Sequence, residues 1–295
     1  MLIEKFIDYL QIEKNYSSNT LSAYKKDLIE FKNFINENFD KYPIEHAEYK
    51  AIRLWIVELV NKNLSNRSIN RKVSSLKSFY KFLVKTDTIG SSPLLAHSPL
   101  KQSKKIQVPF SKEEINSLLD SDSFKNDFRG VLQKTIITFF YYTGVRRIEL
   151  INIKESDINM DSSTIRIMGK RSKERIIPML PKLKKSIVDY LYLRSQEFNK
   201  ETLEYLFVSR SGSQLSEKYV YRTVNEYFKL VSPKVKKAPH VLRHSFATHL
   251  INEGADINSV KELLGHSSLS ATQVYSHTSM ERIKEVFKNS HPRAK

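Results

Sequence analysis

Three short runs near one end of this 295-residue chain hold residue types suited to attack on a phosphate ester. They read His240-Val241-Leu242-Arg243-His244, Leu263-Leu264-Gly265-His266 and Val274-Tyr275-Ser276-His277. On a helix, His240 and Arg243 share one face. A guanidinium offers phosphate oxygens a planar fork, an imidazole can hydrogen-bond them or take up a proton, and a phenol can act as nucleophile. Upstream, Gly144-Val145-Arg146-Arg147-Ile148-Glu149-Leu150 supplies a second arginine, and Gly169-Lys170-Arg171-Ser172-Lys173-Glu174-Arg175 a lysine in an expected hairpin turn. Blander readings stand beside these. Arg146 can simply pair with Glu149 three residues on, a turn lysine is usually just solvated, and Tyr275 is one of fifteen tyrosines. His240 and His244 have the spacing of a helical zinc pair, but the glutamate of His-Glu-x-x-His is missing and Arg243 repels a cation. No carboxylate cluster accompanies the motifs and there is no glycine-rich phosphate loop, so a metal- and ATP-independent reaction without cofactor is expected.

Such groups need a frame. Leu2, Ile3, Phe6, Ile7 and Leu10 recur at helical spacing, as do Leu21, Tyr24, Leu28, Phe31 and Ile35 after the Ser17-Ser18-Asn19 cap cluster. Ile52, Trp55, Ile56, Leu59 and Val60 mark a third helix, and Ile69, Val73, Leu76, Phe79, Tyr80 and Leu83 a fourth starting near Ser65. Four amphipathic helices without strand signals read as a small bundle. The fourth carries Arg67, Arg71, Lys72, Lys77 and Lys81 and no acid from Leu64 to Lys85. A face of one sign suggests phosphate contacts, against the alternative of a merely solvated face.

From Thr86 to Val108 the pattern stops among Gly90, Ser91, Ser92, Pro93, Ser98 and Pro99, with Lys101, Lys104 and Lys105 as expected exposed cations. This reads as a basic, flexible connector between two domains. Ser111-Lys112-Glu113-Glu114 then opens a helix with a capping box. Val131 to Tyr142 is expected to be a buried helix stopped by Gly144. Thr164 to Met168 and Arg175 to Met179 alternate as two short strands. Helices follow at about Pro181 to Gln196, Ser216 to Val231, Val241 to Asn252, Asn258 to Leu264 and Leu269 to Tyr275.

Charge narrows the partner. Lys and Arg number 49 against 32 Asp and Glu, a net +17, which points to a polyanion, nucleic acid first and anionic membrane second. There are no cysteines, so disulfides, thiolate metal sites and cysteine nucleophiles are excluded. The N-terminal residues lack a signal-peptide pattern and no apolar run reaches membrane-span length, so a cytoplasmic location is expected.

Taken together, Arg146, Lys170, His240, Arg243, His266 and Tyr275 resemble the active site of the tyrosine recombinases, the phage integrase family, and the similarity covers the whole chain. Thr143-Gly144-Val145-Arg146 through Glu149-Leu150 looks like the family's first catalytic-arginine motif, and Gly169 to Arg175 like its lysine-bearing turn. The resemblance implies a mainly α protein. Residues 1–86 would form a four-helix, SAM-like core-binding domain lying across one side of DNA. Residues 87–107 would be a linker, and 108–295 a mostly α catalytic domain with a small antiparallel sheet. It implies that Tyr275 attacks the phosphodiester, Arg146 and Arg243 clamp it, His240 and His266 hydrogen-bond it, and Lys170 protonates the departing 5′ oxygen. The product would be a 3′-phosphotyrosyl link. Arg67, Arg71, Lys72, Lys77 and Lys173 are the expected DNA contacts.

His291-Pro292-Arg293-Ala294 resembles the end of the bacterial Xer recombinases (XerC/XerD-like), and the four-helix pattern starts with the first residues, without the arm-binding domain of larger phage integrases. The expectation is therefore resolution of chromosome dimers at a double-stranded dif-like site by a tetrameric synapse, with a second Xer recombinase and a DNA translocase as possible partners. The alternatives are a compact transposon or prophage integrase, a non-catalytic DNA-binding protein of the same fold, and a type IB topoisomerase. Met280, Ile283, Val286 and Phe287 form an apolar stripe over Ser279 to Asn289. The resemblance implies its donation to a neighbouring protomer, the alternative being docking on its own domain.

Overall fold

The computed structural model describes residues 1–39, 42–102, 108–169, 173–199, 203–234, 237–265 and 289–293. Lys104, Lys105, Lys170, His266, Tyr275, the helix expected at Leu269 to Tyr275 and the stripe from Met280 to Phe287 lie outside the described residues. The protein is mainly α with one small antiparallel sheet, and it divides into two compact units, Met1–Lys105 and Ile106–Lys295. Each unit encloses its own apolar core.

The first unit contains α1 (Leu2–Ile12), α2 (Ser18–Asn38), α3 (Tyr49–Asn61) and α4 (Asn66–Lys85). Ser65 caps α4, its hydroxyl accepting from the Ser68 amide. The apolar stripes meet in an aromatic core. Phe6 stands edge-on to Phe79 at 5.5 Å, Trp55 lies 5.0 Å from Phe31, and the buried Tyr80 hydroxyl donates to the Ile44 carbonyl at 2.7 Å.

The stretch read as a flexible connector is seated through most of its described length. Leu94 is fully buried in the first core. Asn70 of α4 donates to the Leu100 carbonyl at 2.8 Å and accepts from the Leu100 amide at 2.9 Å, while Asn66 donates to the Lys101 carbonyl at 2.8 Å. Two asparagine side chains thus mimic a strand partner for a segment that has no secondary structure of its own.

In the second unit, Ser111 and Glu114 close the expected capping box on α5 (Lys112–Leu119). The central helix is α6 (Phe128–Thr143), buried on nearly all sides and packed by α8 (Pro181–Glu197), α9 (Glu217–Val231) and α10 (Pro239–Asn252). Gly144 ends α6 in the left-handed region at φ 59°, and a Cβ there would lie 2.4 Å from a Phe246 ring atom and 2.9 Å from Leu264. Three further elements complete the unit. They are α7 (Arg147–Ile151), the sheet β1 (Ile158–Asn159), β2 (Thr164–Met168) and β3 (Glu174–Pro178), and α11 (Ile257–Leu264). The sheet runs β1-β2-β3, with Met168 opposite Glu174 at the hairpin end. Neither α7 nor β1 was expected, because five and two residues are too short for a periodic pattern.

Candidate active site

The end of α11 is where the second unit gathers its arginines. A helix leaves its last carbonyls without intrahelical donors, and they carry the negative end of the helix dipole. Here three consecutive carbonyls each meet a different guanidinium. Leu263 accepts from Arg175 Nε at 2.9 Å, Leu264 from Arg243 Nη2 at 2.6 Å and Gly265 from Arg146 Nη2 at 3.3 Å. Gly265, at φ 64°, turns the chain out of the helix immediately before His266.

Arg146 is the N-cap residue of α7, two residues after Gly144. For this arginine, the pairing with Glu149 that the spacing allows is present. Its Nη1 pairs with Glu149 Oε1 at 2.6 Å and its backbone amide donates to Glu149 Oε2 at 2.8 Å. Glu149 is itself buried and also takes the fork of Arg175, with Nη1 at 3.2 Å and Nη2 at 2.7 Å. Burial works to raise the Glu149 pKa, but the bonds from Arg175 and Arg146 outweigh it and hold the carboxyl below its ordinary value.

Arg243 comes from α10, three residues after His240, which lies exposed in the first turn. Its Nη1 donates to the Gly144 carbonyl at 2.5 Å, so one guanidinium joins the ends of α6 and α11. Burial, then the nearby Arg146, push its pKa down to about 10, with Arg175 acting the same way and Glu149 opposing. At neutral pH it keeps its charge. Carbonyl partners hold Arg243 without neutralising it, and its bonds to described residues use two of the five N–H donors of a guanidinium. Among the described residues, three cations against one carboxylate give this corner an excess of positive charge that suits an anion with paired oxygens.

Lys170 lies outside the described residues, but the base of its hairpin is closed, with the Gly169 amide donating to the Lys173 carbonyl at 2.7 Å. Lys173 is exposed beside it. His244 points to solvent from α10. Among the described residues, no three of His, Cys, Asp or Glu stand close enough to hold a metal ion together, and no helix is long and apolar enough to cross a membrane. From the sequence, Glu149 is a competitor for Arg146 and a member of its motif, and Arg175 the end of the lysine-bearing turn and the start of a strand; neither is a candidate site residue. One signal was available: Arg175 falls on the inward side of an alternating strand, where a cation must have buried partners.

The basic face of α4 needs correcting. Lys72 is 7% exposed and pairs with Asp27 and Glu30 of α2. Arg71 is exposed but forks onto Asp27 at 2.5 and 2.9 Å, and Ser75 donates to the same carboxylate at 2.8 Å. Helix α4 has no acid of its own, so the acids come from α2. Lys72 is therefore removed as a phosphate contact, and Arg71 has part of its fork committed. Arg67, Lys77 and Lys81 remain exposed.

Behind the arginine corner, the described C-terminal residues return to the core. His291 is 4% exposed and stacks on Tyr142 with ring centroids 4.6 Å apart. Arg293 forks onto Asp120 and reaches Asn116 of α5 at 2.9 Å.

Comparison with known proteins places this geometry in context. The model of the phage integrase family matches residues 109–282, and that of the phage integrase N-terminal SAM-like domain matches residues 3–87. Tyrosine recombinase XerC of Bacillus pumilus is 38% identical over 298 residues, covering 99% of this chain and 97% of the relative. Tyrosine recombinase XerC of Staphylococcus epidermidis is 37% identical over 295 residues, with the same coverage of 99% and 97%. Among solved structures, XerH site-specific recombinase bound to palindromic difH substrate superposes with a TM-score of 0.73 at 22% identity, covering 97% of this chain and 84% of that one. The Tn1549 transposon integrase in complex with transposon right end DNA gives 0.71 at 20% identity, over 96% and 99%. At these identities the two structures attest the fold.

Proposed function

This chain belongs to the phage integrase family and is a site-specific tyrosine recombinase, and from that premise we propose that it resolves chromosome dimers by strand exchange at a dif-like site in the bacterial cytoplasm. The observation that carries the chemistry is the meeting of Arg146 and Arg243 at the carbonyl end of α11, Arg243 held by two carbonyls and Arg146 by Glu149 and the Gly265 carbonyl. In the proposed reaction the two guanidiniums take the non-bridging oxygens of one phosphodiester and stabilise the charge that builds on them. The Tyr275 phenol attacks phosphorus and gives its proton to His240 or His266. A bond forms between phosphorus and the tyrosine oxygen as the bond to the 5′ oxygen breaks. Lys170 supplies the proton to that oxygen. The phosphotyrosyl link conserves the bond energy, so the reverse steps rejoin DNA without a nucleotide cofactor. Four protomers would hold two duplexes, with a second recombinase and a translocase as the proposed partners. Near full-length similarity to XerC favours this role over a compact transposon or prophage integrase.

The test is a nicked suicide substrate carrying the DNA near the source genome's replication terminus. Wild-type protein should form a covalent adduct resistant to SDS, and Tyr275→Phe should bind the same DNA without forming one. A persistent adduct in the phenylalanine variant would exclude Tyr275 as nucleophile. Adducts on unrelated DNA at the same rate would instead favour a topoisomerase, and adducts only at mobile-element ends an integrase.

A further inference from the structure

Among the described residues, Arg175 bonds to no side chain assigned to the reaction above, yet it is among the most confined charges described. It is 4% exposed, at an inward position of β3. Its fork closes on Glu149 and its Nε donates to the Leu263 carbonyl. Through Glu149 it borders the group that holds both the backbone and side chain of Arg146. Through Leu263 it holds the same helix end whose next two carbonyls receive Arg243 and Arg146. It also packs against two glycines. A Cβ at Gly265 would stand 3.1 Å from Arg175 Nη1 and 3.2 Å from its Cδ, and one at Gly169 would stand 3.8 Å from Nη1. These glycines immediately precede His266 and Lys170 in the chain.

A buried ion pair is a poor way to gain stability, because apolar residues of similar volume often serve as well or better. What a bidentate arginine supplies is direction: five donors in a rigid plane fix several acceptors relative to one another. Here those acceptors belong to α7 and α11, and the arginine itself rides on the strand that carries the hairpin. Arg175 also shares the Glu149 carboxylate. Were it absent, Arg146 would be the one cation among the described residues left on Glu149, and the carboxylate would draw that guanidinium away from a phosphate.

We propose that Arg175 is a positioning residue for strand cleavage, registering from behind the hairpin that carries Lys170, the helix end that leads to His266 and the carboxylate that aims Arg146. The proposal rests on the recombinase site described above and deepens it.

The experiment compares wild type, Lys170→Ala, Arg175→Ala and Arg175→Lys on two suicide substrates, one with the normal scissile phosphodiester and one with a 5′-bridging phosphorothiolate. A sulfur leaving group needs no proton, so it relieves any defect that comes from misplacing Lys170. Both Arg175 variants should bind DNA within about threefold of wild type and cleave the normal substrate about 100-fold more slowly, the cost of a displacement near 1 Å. The phosphorothiolate should recover about tenfold of that loss, with the rest reflecting Arg146. Lysine keeps the charge and loses the fork, so it should resemble alanine. Rates are read at a temperature where thermal melts show each variant folded.

Equal losses on both substrates, wild-type cleavage by either variant, or full rescue by lysine would overturn the proposal. So would failure of both variants to fold, which would make Arg175 a stability residue. An absence of adduct with wild-type protein, or of rescue in Lys170→Ala, would count instead against the underlying site assignment.

Discussion

His291 shows how much a single buried ring can report. Its Nδ1 accepts from the Arg293 amide at 3.2 Å and its Nε2 lies 3.3 Å from the Tyr141 carbonyl, which can only accept. Nε2 therefore carries the proton, and the neutral tautomer satisfies both contacts. Burial first, then the neighbouring His249 and Arg293, push its pKa down to about 3, against the opposing bond to the Tyr141 carbonyl. The folded pKa lies below the unfolded one, so the unfolded chain binds the extra proton between about pH 6.5 and pH 3. Stability is complete above that window and falls as pH drops through it, by up to roughly 1.4 kcal/mol per pH unit. Urea unfolding at pH 7.5 and pH 5 should show this loss, and His291→Gln should flatten the difference. An unchanged pH slope in the glutamine variant would remove His291 as its source.

Helix α4 presents two kinds of cation. Lys72 faces α2 and pairs with an Asp27 that is 1% exposed, whereas Arg67 and Lys77 face water. The two kinds should separate under mutation. Arg67→Ala with Lys77→Ala should lower the log–log salt slope of DNA binding by about two units, one per phosphate contact, and leave stability nearly unchanged. Lys72→Ala should leave the slope alone. Its stability loss should fall toward the low end of about 3–5 kcal/mol, because Arg71 and Ser75 remain on Asp27. If Lys72→Ala reduces the salt slope while keeping full stability, the ion-pair assignment is wrong. The same sorting applies to α11, whose closing carbonyls are partners for arginines from three other elements.

Two separate cores and a net charge of +17 set the character of the whole molecule. The first unit buries its aromatic core within Met1–Lys105, a size at which a domain commonly folds alone. Expressed by itself, that fragment should give a single cooperative urea transition. A molten, non-cooperative fragment would show that its core depends on the second unit. The described residues Asn289–Arg293 bear on the tail as well. Ser290 and His291 are buried and Arg293 reaches α5 within the same chain. Donation of the stripe from Met280 to Phe287 to a neighbouring protomer would therefore leave a segment anchored on its home unit beyond it.

How much of this was legible beforehand depends on the range of the interaction. The long helices, the capping box at Ser111, the stop at Gly144 and the two main strands follow from periodicity and local hydrogen bonding, which act over a few residues and leave a mark in the sequence. Residue types suited to phosphoryl transfer can be proposed from sequence because a phosphate accepts only a small set of partners. The meeting of Arg146, Arg175 and Arg243 at one helix end was not legible, because it depends on where α11 docks. Nor was the withdrawal of Lys72, whose partner Asp27 lies 45 residues away, or the sharing of Glu149 with Arg175, 26 residues on. Charge is written in the sequence, but whether a charge faces water, an anion or a buried partner is decided only when the elements pack.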